Sequence, residues 1–200
     1  MYNSSQKLIL DRNKMKKNLL IIALLSIFFA GCDNKNKDEN NQTNSNSTKT
    51  LQSSIDYSVP FELTLMDDSK IKLQKFAKGF KVEGNNQAIL FNFFATWCPP
   101  CKAEIPHLNN LNDKFKDKLK VISVLMEDKP KEEIEAFIKH FKVKFDVTYG
   151  ESNFFFAKAL GGVVGIPYMV LYKPNGEYVT HYVGMVPEEM LESDINKVIE

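Results

Sequence analysis

From Phe61 onward the chain switches repeatedly between two kinds of hydrophobic spacing. "FELTLMDDSKIKLQKF" (Phe61–Phe76) alternates apolar and polar residues around Asp67-Asp68-Ser69, the pattern of a β-hairpin. "AILFNFF" (Ala88–Phe94) is instead a continuous apolar run of strand length, as expected for a strand covered on both faces. A helix is predicted from Pro99 to about Phe115, then a second buried strand, "KVISVLM" (Lys120–Met126). "KPKEEIEAFIKHF" has Pro130 near a helix start, acids in its first turn, and Ile134, Phe137, Ile138 and Phe141 on one face. "VKFDVTY" reads as a short strand, and "SNFFFAKAL" as a helix ended by Gly161-Gly162. "YMVLY" (Tyr168–Tyr172) and "EYVTHYVG" (Glu177–Gly184) flank the hairpin turn Pro174-Asn175-Gly176. "PEEMLESDINKVIE" (Pro187–Glu200) closes the chain as a helix with proline at its first position. This order predicts a mixed α/β sandwich over residues 55–200.

The upstream pattern is different in kind. Lys16 and Lys17 precede the apolar run "LLIIALLSIFFA" (Leu19–Ala30), whose twelve residues are too few to span a bilayer but suit the apolar region of a signal peptide. The ending "FFAGC" resembles a bacterial lipobox, with Phe29 where leucine is usual; the alternative is an ordinary secretory signal with an incidental cysteine. The resemblance implies that residues 15–31 are removed and that Cys32 becomes the lipidated first residue. Residues 1–14 are polar and mixed in charge, including Asp11, so translation is expected to start at Met15. Asp33–Ser54 contains one apolar residue, Leu51, and cannot bury enough surface to offset its ordering entropy. It is expected to be a tether of roughly 25 Å as a flexible coil and about 75 Å when taut.

Composition changes the picture little. With 200 residues, 44% of them hydrophobic and 26% charged, there is room for one ordinary globular domain. From Ile55 onward 18 Lys/Arg stand against 21 Asp/Glu, a net −3, so nothing points to nucleic acid as a partner.

The chemistry concentrates in "NFFATWCPPCKAEIPHL" (Asn92–Leu108), which holds two of the three cysteines. If Cys32 carries lipid, Cys98 and Cys101 are the only thiols left, and in an oxidising compartment they pair with each other or not at all. A bridge closing four residues is a poor staple, worth only roughly 2 kcal/mol before strain. A closed zinc site wants four ligands, and His107, His140 and His181 are scattered without ligand spacing, so no metal is expected. Two thiolates suit soft Cu(I), with His181 as a conceivable third ligand, and copper delivery stays open as an alternative. The redox reading explains more. Cys98 falls where a buried strand ends and a helix begins, and the positive helix end favours the reactive thiolate. Cys101 follows one turn inward, placed to attack a mixed disulfide on Cys98. Pro99 and Pro100 fit a helix's first turn but bring no N–H to the thiolate.

"WCPPCKAEIP" resembles the active site of the thioredoxin superfamily. Pro106 matches the proline within the active-site helix, and Gly165-Ile166-Pro167 before a strand matches the loop with a cis-proline. Departures from cytosolic thioredoxin are Asn92 in place of a buried acid, the extra Lys129–Gly150 segment, and the N-terminal hairpin. All three resemble the TlpA/ResA-like family of membrane-tethered thiol–disulfide oxidoreductases. The resemblance implies a thioredoxin-like fold with an N-terminal β-hairpin and a central helix–strand insertion. It further implies an extracytoplasmic enzyme on the periplasmic side of a bacterial membrane, without cofactor, reducing disulfides of client proteins, for example in cytochrome c maturation or disulfide repair. A membrane thiol reductase would be its electron donor. Oxidase or isomerase action is the alternative direction.

Roles follow by motif position. Cys98 is the nucleophile, Cys101 the resolving thiol, and the two form the redox disulfide. Glu104 matches the family's acid after the second cysteine and is a candidate proton relay for Cys101, against the reading of a solvated helix glutamate. Trp97, Pro99, Pro100, Ile166 and Pro167 are the candidate substrate-contacting residues, Trp97 as a shield of the disulfide or as a plain core aromatic. Phe154, Phe155 and Phe156 read as core and rim packing. A peroxidase on the same fold is disfavoured, because Thr96 lies only two residues before Cys98, one short of the spacing that site needs.

Overall fold

The computed structural model describes residues 56–200; the expected start at Met15, the signal segment, Cys32 and the tether lie outside the described residues. The strands are β1 (Phe61–Leu65), β2 (Lys70–Phe76), β3 (Gly79–Val82), β4 (Ala88–Phe94), β5 (Leu119–Leu125), β6 (Asp146–Tyr149), β7 (Tyr168–Tyr172) and β8 (Tyr178–Val183). The helices are α1 (Pro99–Lys114), α2 (Lys131–Phe141), α3 (Ser152–Ala159) and α4 (Glu188–Ile199). One eight-stranded sheet runs in the order β3-β2-β1-β6-β5-β4-β7-β8. β4 pairs parallel with β5 and antiparallel with β7, and all seven of its residues are buried, which is why its sequence shows no polar alternation.

The predicted hairpin is β1 and β2, and the expected insertion is α2 and β6. β6 lies between the two halves of the sheet, parallel to β5 and antiparallel to β1, so the insertion welds the N-terminal strands onto the central ones. One strand escaped the sequence reading. β3 is only four residues long, but Phe80 and Val82 point inward and Lys81 outward, and it pairs with β2. Its far edge meets the β7–β8 turn: Phe80 N–H donates to the Gly176 carbonyl at 3.0 Å and Tyr178 N–H to the Lys78 carbonyl at 2.9 Å. A Cβ on Gly79 would stand 2.2 Å from the Gly176 oxygen, and Gly176 has φ +86°, so this contact needs glycine on both sides. Pro130 and Pro187 occupy cap positions rather than the first helical residue. Their ψ values of 139° and 134° are extended, which a cap requires and a first helical residue forbids.

Alternation along β4 divides the core. Ile89, Phe91 and Phe93 face a cluster with Phe80, Ile122, Val170 and Phe156 of α3. Ala88 and Leu90 face Leu108 and Leu111 of α1 with Leu191 and Ile195 of α4. Phe94 joins Cys98, Cys101 and Ile105 of α1 with Ile134 and Phe137 of α2. The phenylalanine run splits as expected: Phe156 is fully buried, while Phe154 and Phe155 are half-buried, Phe155 packing on Tyr57 and Phe61. Among the described residues no helix is long and apolar enough to cross a membrane.

Candidate active site

β4 delivers the chain to Ala95, and a short loop turns it into α1. Cys98 is the N-cap of that helix, with φ −82° and ψ 108°. Its Sγ accepts the N–H of Cys101 at 3.2 Å, the capping bond that Ser or Asp usually makes with an oxygen. Pro99 and Pro100 occupy the first two helical positions, where their missing N–H groups cost nothing. Cys98 and Cys101 are joined as a disulfide, and both are buried. Glu127 steadies the approach to the motif by accepting the Thr96 N–H at 2.5 Å, a role that nothing local in the sequence signals.

A second loop completes the site. The Ile166–Pro167 peptide is cis, and the Ile166 carbonyl oxygen lies 3.9 Å from Cys98 Sγ. A disulfide sulfur has no proton to donate, so this is a contact of two electron-rich atoms. Gly184 N–H donates to the Pro167 carbonyl at 2.8 Å, tying the cis-proline loop to the end of β8.

Glu104 is not a solvated helix residue. It is buried, and it sits in the inward stripe Cys101, Glu104, Ile105, Leu108, Leu111 of α1. That stripe is legible at i, i+3, i+4, i+7 spacing, and reading it would have placed the glutamate inside. Its Oε1 accepts the Val186 N–H at 3.3 Å, while Oε2 has no partner among the described residues. Burial pushes its carboxyl above the ordinary glutamate range, against smaller opposing effects of the Val186 amide and of His107. Asn92, buried on β4, donates from Nδ2 to Ser123 Oγ at 3.0 Å.

Trp97 is 64% exposed, which removes the core-aromatic reading. With exposed Pro99, Val164 (84% exposed) and Met185, it presents apolar surface on the loops that carry the site. The histidines are engaged elsewhere: His107 Nδ1 with Glu188 at 2.7 Å, His181 with the Tyr178 hydroxyl at 2.7 Å, and His140 edge-on to Phe141. Among the described residues no group of three His, Cys, Asp or Glu side chains is placed to hold a metal.

This arrangement can do one kind of chemistry directly. A disulfide at a helix start can, once reduced, exchange with another disulfide, and here both sulfurs are buried on a helix whose inward stripe also carries a buried acid. A family model described as Redoxin matches residues 56–199. The thiol-disulfide oxidoreductase ResA of Bacillus thuringiensis subsp. konkukian is 30% identical over 138 residues, covering 69% of this chain and 74% of that relative. ResA of Oceanobacillus iheyensis is 26% identical over 198 residues, covering 98% and 95%. Among solved structures, a putative thiol:disulfide interchange protein DsbE from Chlorobium tepidum superposes with a TM-score of 0.57 at 23% identity, over 72% of this chain and 96% of that one. StoA from Bacillus subtilis superposes at 0.55 with 22% identity, over 68% and 96%; these two likenesses speak for the fold.

Proposed function

The chain belongs to the redoxin family and is a thiol–disulfide oxidoreductase of the ResA type, and from that premise we propose that Cys98 and Cys101 are its reacting pair and that it reduces client disulfides outside the cytoplasm. In the forward reaction the Cys98 thiolate attacks one sulfur of a client disulfide. A mixed disulfide forms, and the other client sulfur leaves as a thiolate that takes a proton. Cys101 then attacks Cys98 Sγ, releases the second client thiolate and closes the Cys98–Cys101 bond. Two electrons pass to the client, and the protein ends in the disulfide form. For its attack Cys101 must lose a proton, and Glu104, one helical turn on and buried with it, is the group to receive it. Asn92 does not titrate in this range and cannot take that part. A membrane thiol reductase restores the dithiol, and lipid on Cys32 with the tether beyond keeps the domain within its reach. The Ile166 backbone beside Cys98, with Trp97, Pro99, Pro100 and Pro167, meets the client.

The observation that carries the direction is the sparse stabilisation of Cys98 Sγ. One backbone N–H reaches it, Pro99 and Pro100 supply none, and the Ile166 carbonyl turns its negative end toward the sulfur. Strongly oxidising C-x-x-C sites hold their thiolate at a pKa of about 3.5 with a potential near about −120 mV, against about 7 and about −270 mV in thioredoxin. A charge-assisted hydrogen bond is worth about 1.5–3 kcal/mol and about 30 mV corresponds to 1.4 kcal/mol, so each missing donor lowers the potential by several tens of millivolts. Equilibration with glutathione, reading the state of the pair, tests this. A potential below about −200 mV is expected; one above about −180 mV with a Cys98 pKa below about 5 would make the protein an oxidant. Cys101→Ser in native cells should trap clients as mixed disulfides, and mass spectrometry of membrane-extracted protein should find lipid on Cys32.

A further inference from the structure

Among the described residues two buried side-chain polar atoms lack a hydrogen-bond partner: Asn92 Oδ1 and Glu104 Oε2. They lie on the same side of the sheet. On that face β4 presents Leu90, Asn92 and Phe94 in turn, and the inward stripe of α1 presents Cys101, Glu104 and Leu108. Leu90 shares a cluster with Leu108 and Leu111, while Phe94 shares one with Cys98, Cys101 and Ile105. Early strand residues thus meet late helix residues, so strand and helix run in opposite senses. The two polar residues interrupting these clusters, one on each element, fall at the same level between them. The amide of Asn92 is turned by its Nδ2 bond to Ser123 on the neighbouring strand, and Glu104 Oε1 is taken by the Val186 N–H. The two atoms left over are the two without partners.

We propose that Asn92 is a positioning residue of this site, its Oδ1 accepting a hydrogen bond from the proton-bearing Oε2 of Glu104 and so holding the acid behind the Cys98–Cys101 pair. The proposal rests on the reading of Glu104 as proton carrier. An amide oxygen needs a donor, and a carboxyl oxygen can provide one only while protonated; one bond then satisfies both buried atoms. A carboxylate there would face the amide oxygen with like partial charge. The proton count fits the reaction. When Cys101 closes the disulfide its proton passes to Glu104, and the bond to Asn92 forms. On reduction Glu104 returns the proton to the Cys101 sulfur, and the bond is given up. Asn92 therefore favours the proton's resting place in the oxidised protein, the direction in which burial already pushes Glu104.

Few titrating groups complicate the measurement. His107 lies one turn on along α1 and is bonded to Glu188 of α4. β4 and β5 offer Asn92 and Ser123, the loop before α4 offers the Val186 backbone, and the cysteines do not titrate while joined. The experiment is a carboxyl-carbon NMR titration of Glu104 in the oxidised protein. In the wild type a single step is expected. Asn92→Asp preserves shape and places two carboxyls around one proton, so Glu104 should follow two coupled steps, the upper displaced by about one pH unit or more from the wild-type midpoint. Adding Glu104→Gln should return the introduced carboxyl to one step. Asn92→Ala should lower the Glu104 midpoint, because an acceptor for the neutral acid is lost. A Glu104 midpoint unmoved by Asn92→Asp would overturn the proposal, as would a rise in Asn92→Ala, which would mean that the amide donates to a carboxylate. The rate of client disulfide reduction by Glu104→Gln separates the two readings. Coupling with a wild-type rate across pH leaves the pairing standing and removes the proton carrier. An impaired rate without coupling keeps the carrier and removes Asn92.

Discussion

On one face of β4, Phe91 and Phe93 lie with ring centroids 4.8 and 5.4 Å from that of Phe156, which also meets Phe80 at 5.2 Å and Phe61 at 5.8 Å. On the other face, one residue along the same strand, Asn92 interrupts the apolar packing opposite the stripe that carries Cys101 and Glu104. Both faces are buried among apolar side chains, but they treat polar groups differently. At the edge of the aromatic face Asn153 is buried and fully bonded: Nδ2 donates to the carbonyls of Leu125 and Thr148 at 2.9 and 3.0 Å, and Oδ1 accepts from Thr148 Oγ1 at 2.8 Å. On the α1 face two polar atoms go without partners among the described residues. A bonded buried amide stabilises a fold, whereas an unbonded one raises its energy unless the group has something else to do. One face holds the domain together, and the other carries a disulfide and a buried carboxyl.

The comparison breaks first at the sulfur. If Cys98 makes the first attack, as proposed, Cys98→Ser should abolish client disulfide reduction while the aromatic face keeps its packing. An insulin-reduction assay reads the loss, and an unchanged far-ultraviolet spectrum shows the retained fold. Residual turnover within about tenfold of wild type would put the nucleophile elsewhere.

Phe156→Ala should give the opposite result. Removing a fully buried phenylalanine costs about 3–5 kcal/mol, because the ring's transfer energy is lost and a cavity remains among four rigid rings. Denaturant unfolding should show that loss, with the reduction rate per folded molecule within about twofold of wild type. A large change in rate at full folding would mean that the two faces are energetically coupled through β4.

The two faces also differed in how well they could be read in advance. Long apolar runs announced β4 and β5 because each is a local pattern with a local cause, whereas the joining of Gly165-Ile166-Pro167 to the C-x-x-C came from the family resemblance. β3 was missed because four residues of alternation hardly exceed chance, and its stability comes from β2 and from the glycine contact at Gly176. Trp97 was assigned by residue type, yet a loop has no periodicity to say which side faces in. The burial of Glu104 is legible in the stripe of α1, which decides between the relay and solvated readings that residue type alone leaves balanced. The Thr96–Glu127 and Asn153 bonds join segments that only the finished sheet brings together.

The smallest expected effect is on the pH dependence of stability, and it sharpens the comparison most. Burial raises the Glu104 carboxyl above the ordinary value of 4.5 that it regains on unfolding. A group raised on folding contributes stability that is fully present below its unfolded pKa and lost as pH rises through the folded one, because the unfolded chain releases the proton first. The oxidised wild type should therefore lose stability from this group as pH climbs past 4.5, levelling above the folded midpoint. Glu104→Gln cannot titrate, and its amide can still accept from Val186 and donate toward Asn92. The difference in stability, Glu104→Gln minus wild type, should grow over the same pH window and then flatten. Other titrating groups, including Glu188, held low by its bond to His107, cancel in that difference. Phe156→Ala changes no titrating group, so its difference from wild type should stay flat across pH. Urea unfolding at matched slope between about pH 4 and 8 measures both. A flat difference for Glu104→Gln would mean that the acid is solvated in the working protein, and the contrast between the two faces would then lose its chemical half.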